Sequence, residues 1–350
     1  MCFRVRLGQA IIITTLLILS TVTFALNESF KIHPDDGSEH DLFGHSVAIH
    51  KNLLVVGAIG ENLGGYSSGA VYVFKNNNNK WTQVAKLVPS RPVAYGNFGY
   101  AVDVYNGVVA VGAPGYDELG GDSGAVFLFK ENEGNNWQQD TMLTANDGAN
   151  GDNFGCCVAL HHNRLLVGAY ADDDNGGASG SAYVFIRSKQ KWVLNKKLKA
   201  GDAKMEKYFG SSVDLDLNYA VIGAWGDDEK GRESGAAYLF KFETDKWTQI
   251  AKMVPRRNSP GAKFGSSVRL DNRNLIIGAP GAGKMGTAYL YGLNDENQWE
   301  YLRVLSMAEA SEADNYGFCV GSMSNFICVG VPHSDALAQD GGMVTLFQFY

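Results

Sequence analysis

Helical periodicity is what this chain has least of. No stretch after residue 25 places apolar residues at the three- and four-residue spacing of an amphipathic helix, which argues against helical bundles and doubly wound α/β folds. Proline is scarce at 8 residues against 42 glycines, a balance that suits many short strands joined by tight turns. Cysteine is thin too. There are five, and Cys2 lies in the N-terminal segment, so the remaining four make no disulfide scaffold. Basic stripes are missing, and the formal charge of −7 is spread through glycine-rich segments, which speaks against nucleic acid and anionic membranes as partners. Residues Gly278 to Met285 come within one residue of a phosphate loop, but Met285 stands where a hydroxyl must hold magnesium, and a strand pattern follows instead of a helix.

One long apolar run exists, and it is at the start. Arg4 and Arg6 precede Ala10–Leu19, and small Thr23 and Ala25 flank Phe24, the layout of a secretory signal peptide over residues 1–25. The expectation is an exported, extracellular chain with a mature domain over 26–350 and no membrane insertion of that domain; an uncleaved signal anchor is the alternative. Asn27-Glu28-Ser29 is a glycosylation sequon just beyond the expected cleavage point.

What the chain has in abundance is repetition. Phe-Gly recurs at Phe43, Phe98, Phe154, Phe209 and Phe264, with Tyr316-Gly317 as a sixth copy, at intervals of 52 to 56 residues. Each is followed by a short apolar run, then Gly-Ala-Pro or a near relative, an acidic glycine-rich loop, and Ser-Gly-Ala-Val-Tyr-Val-Phe or its variant. In the first copy His45–Ile49, Asn52–Val56, Ala70–Phe74 and Trp81–Leu87 read as four strands, rich in β-branched and aromatic residues with turn residues between. Four antiparallel strands per copy make one propeller blade, so the fold expected is all-β, a six-bladed β-propeller, with seven blades as the alternative. The segment Ser29–His33 matches the end of an outer strand. It is expected to complete the last blade, because the last copy ends in a third-strand sequence. Trp81, Trp137, Trp192, Trp247 and Trp299 head the outer strands and read as covers for the seams between blades. Cys157 and Cys319 share the small-residue position of Ser46, Ala101, Ser212 and Ser267, and so read as packing. Cys319 and Cys328 lie on consecutive predicted strands, where a cross-strand disulfide is geometrically conceivable. The adjacent His161 and His162 fall at a hairpin turn and are expected to point apart into solvent.

Phe-Gly followed by Gly-Ala-Pro at this spacing resembles the FG-GAP repeat, the unit of the integrin α-chain propeller head, over about residues 28–350. Phe98-Gly99 with Gly112-Ala113-Pro114 and Phe264-Gly265 with Gly278-Ala279-Pro280 keep the full pattern. The resemblance implies a β-propeller used in extracellular adhesion or ligand recognition. It does not carry integrin calcium loops, since the connections after the Phe-Gly strand are only a few residues long and cannot wrap six to eight oxygens around an ion.

Acid gathers elsewhere. Loops between second and third strands hold Asp117 with Asp122, Asp172-Asp173-Asp174, and Asp227-Asp228, while the loops leading into each blade add Asp35, Asp36, Asp41, Asp147, Asp152, Asp202 and Asp314. In an up-and-down blade both loop types emerge on one face of the disc. That face is the expected recognition surface, with Asp117, Asp122, Asp227 and Asp228 as ligand-binding candidates and Asp172, Asp173 and Asp174 as candidate calcium ligands. Solvated acidic turns are the plain alternative. The fifth copy has seven residues between Gly278 and Gly286 where the first four have eleven, a notch in the rim. The function expected is a non-enzymatic adhesion or binding module for an extracellular protein or glycan; a propeller-based lyase or glycosidase and a matrix or coat protein are the alternatives.

Overall fold

The computed structural model describes residues 31–78, 80–133, 136–306, 314–323, 326–334 and 343–348. The propeller is the compact unit Pro34–Tyr350. The signal segment, Asn27 and the start of the expected closing strand, Ser29-Phe30, lie outside the described residues; the described part of that segment, Lys31–His33, forms no strand, so the expected completion of the last blade is not seen among the described residues.

Six antiparallel sheets follow one another along the chain. Blade one is β1 (Phe43–His50), β2 (Leu53–Ala58), β3 (Ala70–Asn77) and β4 (Lys80–Leu87). Blade two is β5 (Ala101–Tyr105), β6 (Val108–Ala113), β7 (Ala125–Asn132) and β8 (Asn136–Leu143). Blade three is β9 (Val158–His161), β10 (Arg164–Ala169), β11 (Ser181–Ser188) and β12 (Lys191–Leu198). Blade four is β13 (Phe209–Asp216), β14 (Tyr219–Ala224), β15 (Ala236–Glu243) and β16 (Lys246–Met253). Blade five is β17 (Ser267–Asp271), β18 (Asn274–Ala279), β19 (Thr287–Leu293) and β20 (Trp299–Leu305). Blade six is β21 (Val320–Met323), β22 (Phe326–Val331) and β23 (Met343–Gln348), three strands among the described residues.

The apolar runs of the second and third strands are buried on both faces because each sheet is sandwiched between two others. Apolar clusters fill the seams between consecutive blades from one to six. In these seams the repeated Phe is fully enclosed, and Phe98, Phe154 and Phe209 each meet two third-strand aromatics edge-on, as Phe98 does with Phe127 and Phe129. Trp192 and Trp247 are buried within seam clusters, as their place at the head of the outer strand suggests. No such cluster joins blade six to blade one among the described residues. Val47 and Ile49 of β1 are 58% and 54% exposed, where their counterparts Val102 and Val104 of β5 are 9% and 3%. Val344 of β23 is likewise open, at 62%.

The two glycines of the repeat meet across each seam. Gly99 adopts a left-handed backbone, φ +94°, which turns its carbonyl onto Gly57 of the preceding blade. A Cβ on Gly57 would run into that oxygen. The small-residue position supplies a donor to the same carbonyl: Ser46 Oγ to Gly99 O at 2.7 Å, Ser212 Oγ to Gly265 O at 2.7 Å, Cys157 Sγ to Gly210 O at 3.1 Å. Near the axis Asp103 and Asp214 accept the edge amides of the next inner strands, Leu160 and Leu270, each at 2.6 Å. These bonds occupy edges that a propeller otherwise leaves open.

Two sequence expectations need correction. The β21–β22 register pairs Val320 with Val329 and Gly321 with Cys328, and Gly330 donates to the Cys319 carbonyl, so Cys319 faces Gly330 and the two cysteines are diagonal. Both are free thiols, as are Cys156 and Cys157. His161 and His162 do not diverge: His162 takes φ +54° at the turn, and the two rings lie 4.6 Å apart.

Candidate functional site

The acidic loops are closed from within. In each of the first four blades the serine that precedes the third strand is buried and bridges its own loop. Ser179 Oγ donates to the Asp172 carbonyl at 3.1 Å and accepts the Asn175 amide at 3.2 Å; Ser68, Ser123 and Ser234 do the same in theirs. This holds an eleven-residue loop in shape by hydrogen bonds alone.

The carboxylates in turn converge on lysines. In blade three Lys197 Nζ lies 2.9 Å from Asp147, 2.7 Å from Asp172 and 2.6 Å from Asp174, and 5.1 Å from the centre of the Tyr183 ring. Tyr183 donates to Asp147 and Asp172, each at 2.9 Å, and Ser181 donates to the other Asp172 oxygen. Blade four repeats the arrangement. Lys252 binds Asp202 at 2.6 Å and both Asp227 and Glu229 at 2.9 Å, with Tyr238 donating to Asp202 and Asp227. Lys207 adds a second cation, 3.3 Å from Asp227 and also paired with Asp228. Blade one has a smaller version, Lys86 with Asp36 at 2.7 Å and Glu61 at 3.1 Å. Hydrogen bonds from Lys197 and Lys199 hold the Asp174 carboxyl below its ordinary value, and Lys207 does the same for Asp228. Burial alone would raise the Asp227 carboxyl; the Glu229 amide with Lys252 and Lys207 outweighs it, and the group is lowered. Burial works against the Lys197 ammonium, yet its three aspartates raise it.

The predicted residues therefore divide. Asp172 and Asp227 are buried and bonded, and Asp174 and Asp228 are paired to lysines at the surface. Asp173 is exposed. Asp117 and Asp122 are exposed in the blade-two loop, where Asp117 Oδ1 accepts the Asp122 amide at 2.8 Å. Among the described residues no group of three or more His, Cys, Asp or Glu is placed to hold a metal ion.

At the axis on this same face is a cavity of about 770 Å³, lined by residues of blades two to six. Its walls carry Tyr100, Tyr170, Trp225 and Phe318, with Ser211, Ser266, Asn315 and Lys263 among the polar groups and Cys156 beside them. Trp225 is stacked on Tyr208 at 4.2 Å with 8° between ring planes, and Lys263 Nζ lies 5.2 Å from the Trp225 ring centre. The notch foreseen in blade five opens here, since Pro280 and Gly281 of the short loop line the cavity.

Sequence reasoning missed the lysines and the cavity. Both had a signal in the repeat. Lysine stands next to last in β4, β12 and β16, in the copies with an acid at Glu61, Asp172 or Asp227. Met142 and Val304 take its place where that acid is Tyr116 or Ala282. Most of the cavity residues come from positions beside recurring ones, two after the aromatic of Phe-Gly, just before it as with Lys263 and Asn315, or just after Gly-Ala, and several of these vary among copies.

Comparison with known proteins agrees with the architecture. The FG-GAP repeat matches residues 26–74, 81–129, 137–185, 192–240 and 247–291. The sixth copy, with Tyr316 for Phe, is not among the matches, although it forms β21 to β23. A crystal structure of a protein from Lactobacillus plantarum is similar in fold, with a TM-score of 0.54 at 15% identity, covering 88% of this chain and 84% of that one. No curated protein matches the chain. With matches spread over most of its length and a blade behind each, the chain belongs to the FG-GAP repeat family.

Proposed function

We propose that this propeller is an exported binding module, without catalytic activity, which recognises an extracellular protein or glycan in the axial cavity of its loop face. The observation that carries the reading is the cavity itself. Four aromatic side chains and a lysine meet on the axis of a rigid ring, in a volume typical of ligand sites. The acidic rim does not supply the contact on this reading, because buried Asp172 and Asp227 are already bonded to lysines and tyrosines and buried Asp41 and Asp152 accept backbone amides. The same pairing speaks against Asp147, Asp174, Asp202, Asp227 and Asp228 as a glycosidase's acid, which needs a raised pKa, because all five are lowered; burial does raise Asp152, Asp103 and Asp214, but each of these already accepts a backbone amide.

The cation of this face, on this reading, is lysine. Lys197 Nζ stands at the centre of the three oxygens that a calcium ion would seek. Millimolar calcium against chelator is expected to leave the melting temperature unchanged; a clear calcium-dependent rise would put the ion back at Asp172–Asp174.

The test of the main reading is binding of the purified full-length chain to extracellular glycoproteins. Trp225→Ala and Tyr170→Ala are expected to abolish it with little change in melting temperature. Asp117→Ala with Asp122→Ala should leave it nearly intact. The reverse pattern would move recognition out to the rim.

A further inference from the structure

We propose that the axial cavity takes a sugar ring bearing a carboxylate, the uronic-acid class of saccharide, with Trp225 and its aromatic neighbours stacking on the ring and Lys263 pairing the acid. This rests on the cavity being the recognition site and says what that site selects.

Three observations carry it. The first is shape and polarity. Trp225, backed by Tyr208 at 4.2 Å, offers a flat aromatic platform, and Tyr100, Tyr170 and Phe318 approach from other blades. The negative faces of such rings attract the weakly positive C–H groups of a pyranose face. Ser211, Ser266 and Asn315 stand between them with hydroxyl and amide groups suited to sugar hydroxyls.

The second is charge. Lys263 is the charged side chain of the lining, and no carboxylate lies within ion-pair distance of it among the described residues. The lysines of the rim differ: Lys86, Lys197, Lys207 and Lys252 are each saturated by two or more acids. An anion entering the rim would find its lysines occupied, whereas at the axis it meets an exposed ammonium with only a ring face for company.

The third is backbone. The residue before each repeat aromatic adopts a left-handed conformation: Asn97, Asn153 and Asn315 at φ 51° to 57°, but also Leu42 at 55°, Tyr208 at 54° and Lys263 at 53°. Asparagine tolerates this region; tyrosine and lysine are uncommon there. Of the three copies that depart from asparagine, blade five puts Lys263 into the cavity wall and blade four stacks Tyr208 on Trp225, while Leu42 of blade one is exposed away from the lining. A sparsely populated backbone at a cavity wall is a pointer to function.

The experiment titrates the full-length chain with a tetrasaccharide ending in glucuronic acid, with its carboxyl-reduced, glucose-ended counterpart, and with a tetraglutamate peptide, by calorimetry and tryptophan fluorescence. The acidic saccharide is expected to bind about tenfold or more tightly than the neutral one, the scale of one charge-assisted hydrogen bond. Lys263→Met should erase that difference, Lys263→Arg should keep most of it, and Trp225→Ala should weaken both sugars together. Lys263 is exposed, so its variants keep the fold. Equal binding of the two saccharides overturns the carboxylate assignment, and binding of the peptide alone overturns the sugar. If no saccharide binds while Trp225→Ala still abolishes glycoprotein binding, the ligand class falls and the site stands. If Trp225→Ala leaves glycoprotein binding intact, the site reading falls as well.

Discussion

Blades three and four differ from blades two and five at one set of equivalent positions, and the difference separates what the fold requires from what it merely permits. In blade four the site beneath the loop holds Asp202, Asp227, Tyr238 and Lys252 in a bonded cluster. In blade two the same places are taken by Arg91, Tyr116, Phe127 and Met142. Tyr116 packs edge-on against Phe127 and donates to the Arg91 carbonyl at 2.8 Å. Blade five goes further, with Ala282, Tyr289 and Val304. Loop and strand geometry survive all three solutions. A buried ion cluster is thus one way of filling this space, and apolar packing of similar volume serves as well.

The comparison can be broken in order of expected effect. Removing one partner from the most enclosed cluster should do most damage. Lys252→Ala leaves Asp227, 0% exposed, with its charge only half met, and about 3–5 kcal/mol of stability should be lost in urea unfolding. Acid should act in the same direction. Asp174, Asp227 and Asp228 titrate below their ordinary 3.8 when folded, so the stability they confer is complete above that pH and is lost as the pH falls through the folded values. Melting temperatures between pH 5 and 2 will show it, and a flat profile would deny the pairing any energetic role. Lys86→Ala in blade one should cost less, about 1–2 kcal/mol, because Asp36 is half exposed and can return to water. The smallest effect belongs to the exchange of one solution for the other. Asp172→Tyr, Tyr183→Phe and Lys197→Met together give blade three the chemistry of blade two, and stability should stay within about 1 kcal/mol at neutral pH while the acid sensitivity shrinks. A loss as large as that of Lys252→Ala would mean that the two kinds of blade are not interchangeable.

The legibility of the molecule follows the same division. The ring of blades was readable because Gly57, Gly99 and Ser46 answer to contacts that every seam repeats, so their identities recur with the period. Strand alternation hid the lysines. Next to last in an outer strand, Lys197 and Lys252 look like ordinary solvent-facing charge, and the acids that claim them come from two other loops. The aspartates therefore looked available when read along the chain, although folding had already assigned them. The cavity was hidden for the opposite reason. Tyr100, Tyr170, Trp225 and Phe318 stand at repeat positions whose residue identities follow no period, and only the arrangement of the blades around an axis brings them together.

The serine-bridged, lysine-pinned loops bear on the rate and heat of recognition as well as on stability. A mouth already set in its bound shape admits a partner as one rigid body meets another, so little freedom remains to be surrendered at encounter. Association should then be limited by diffusion and orientation, and the heat-capacity change should reflect water leaving the aromatic floor and not the ordering of a lid.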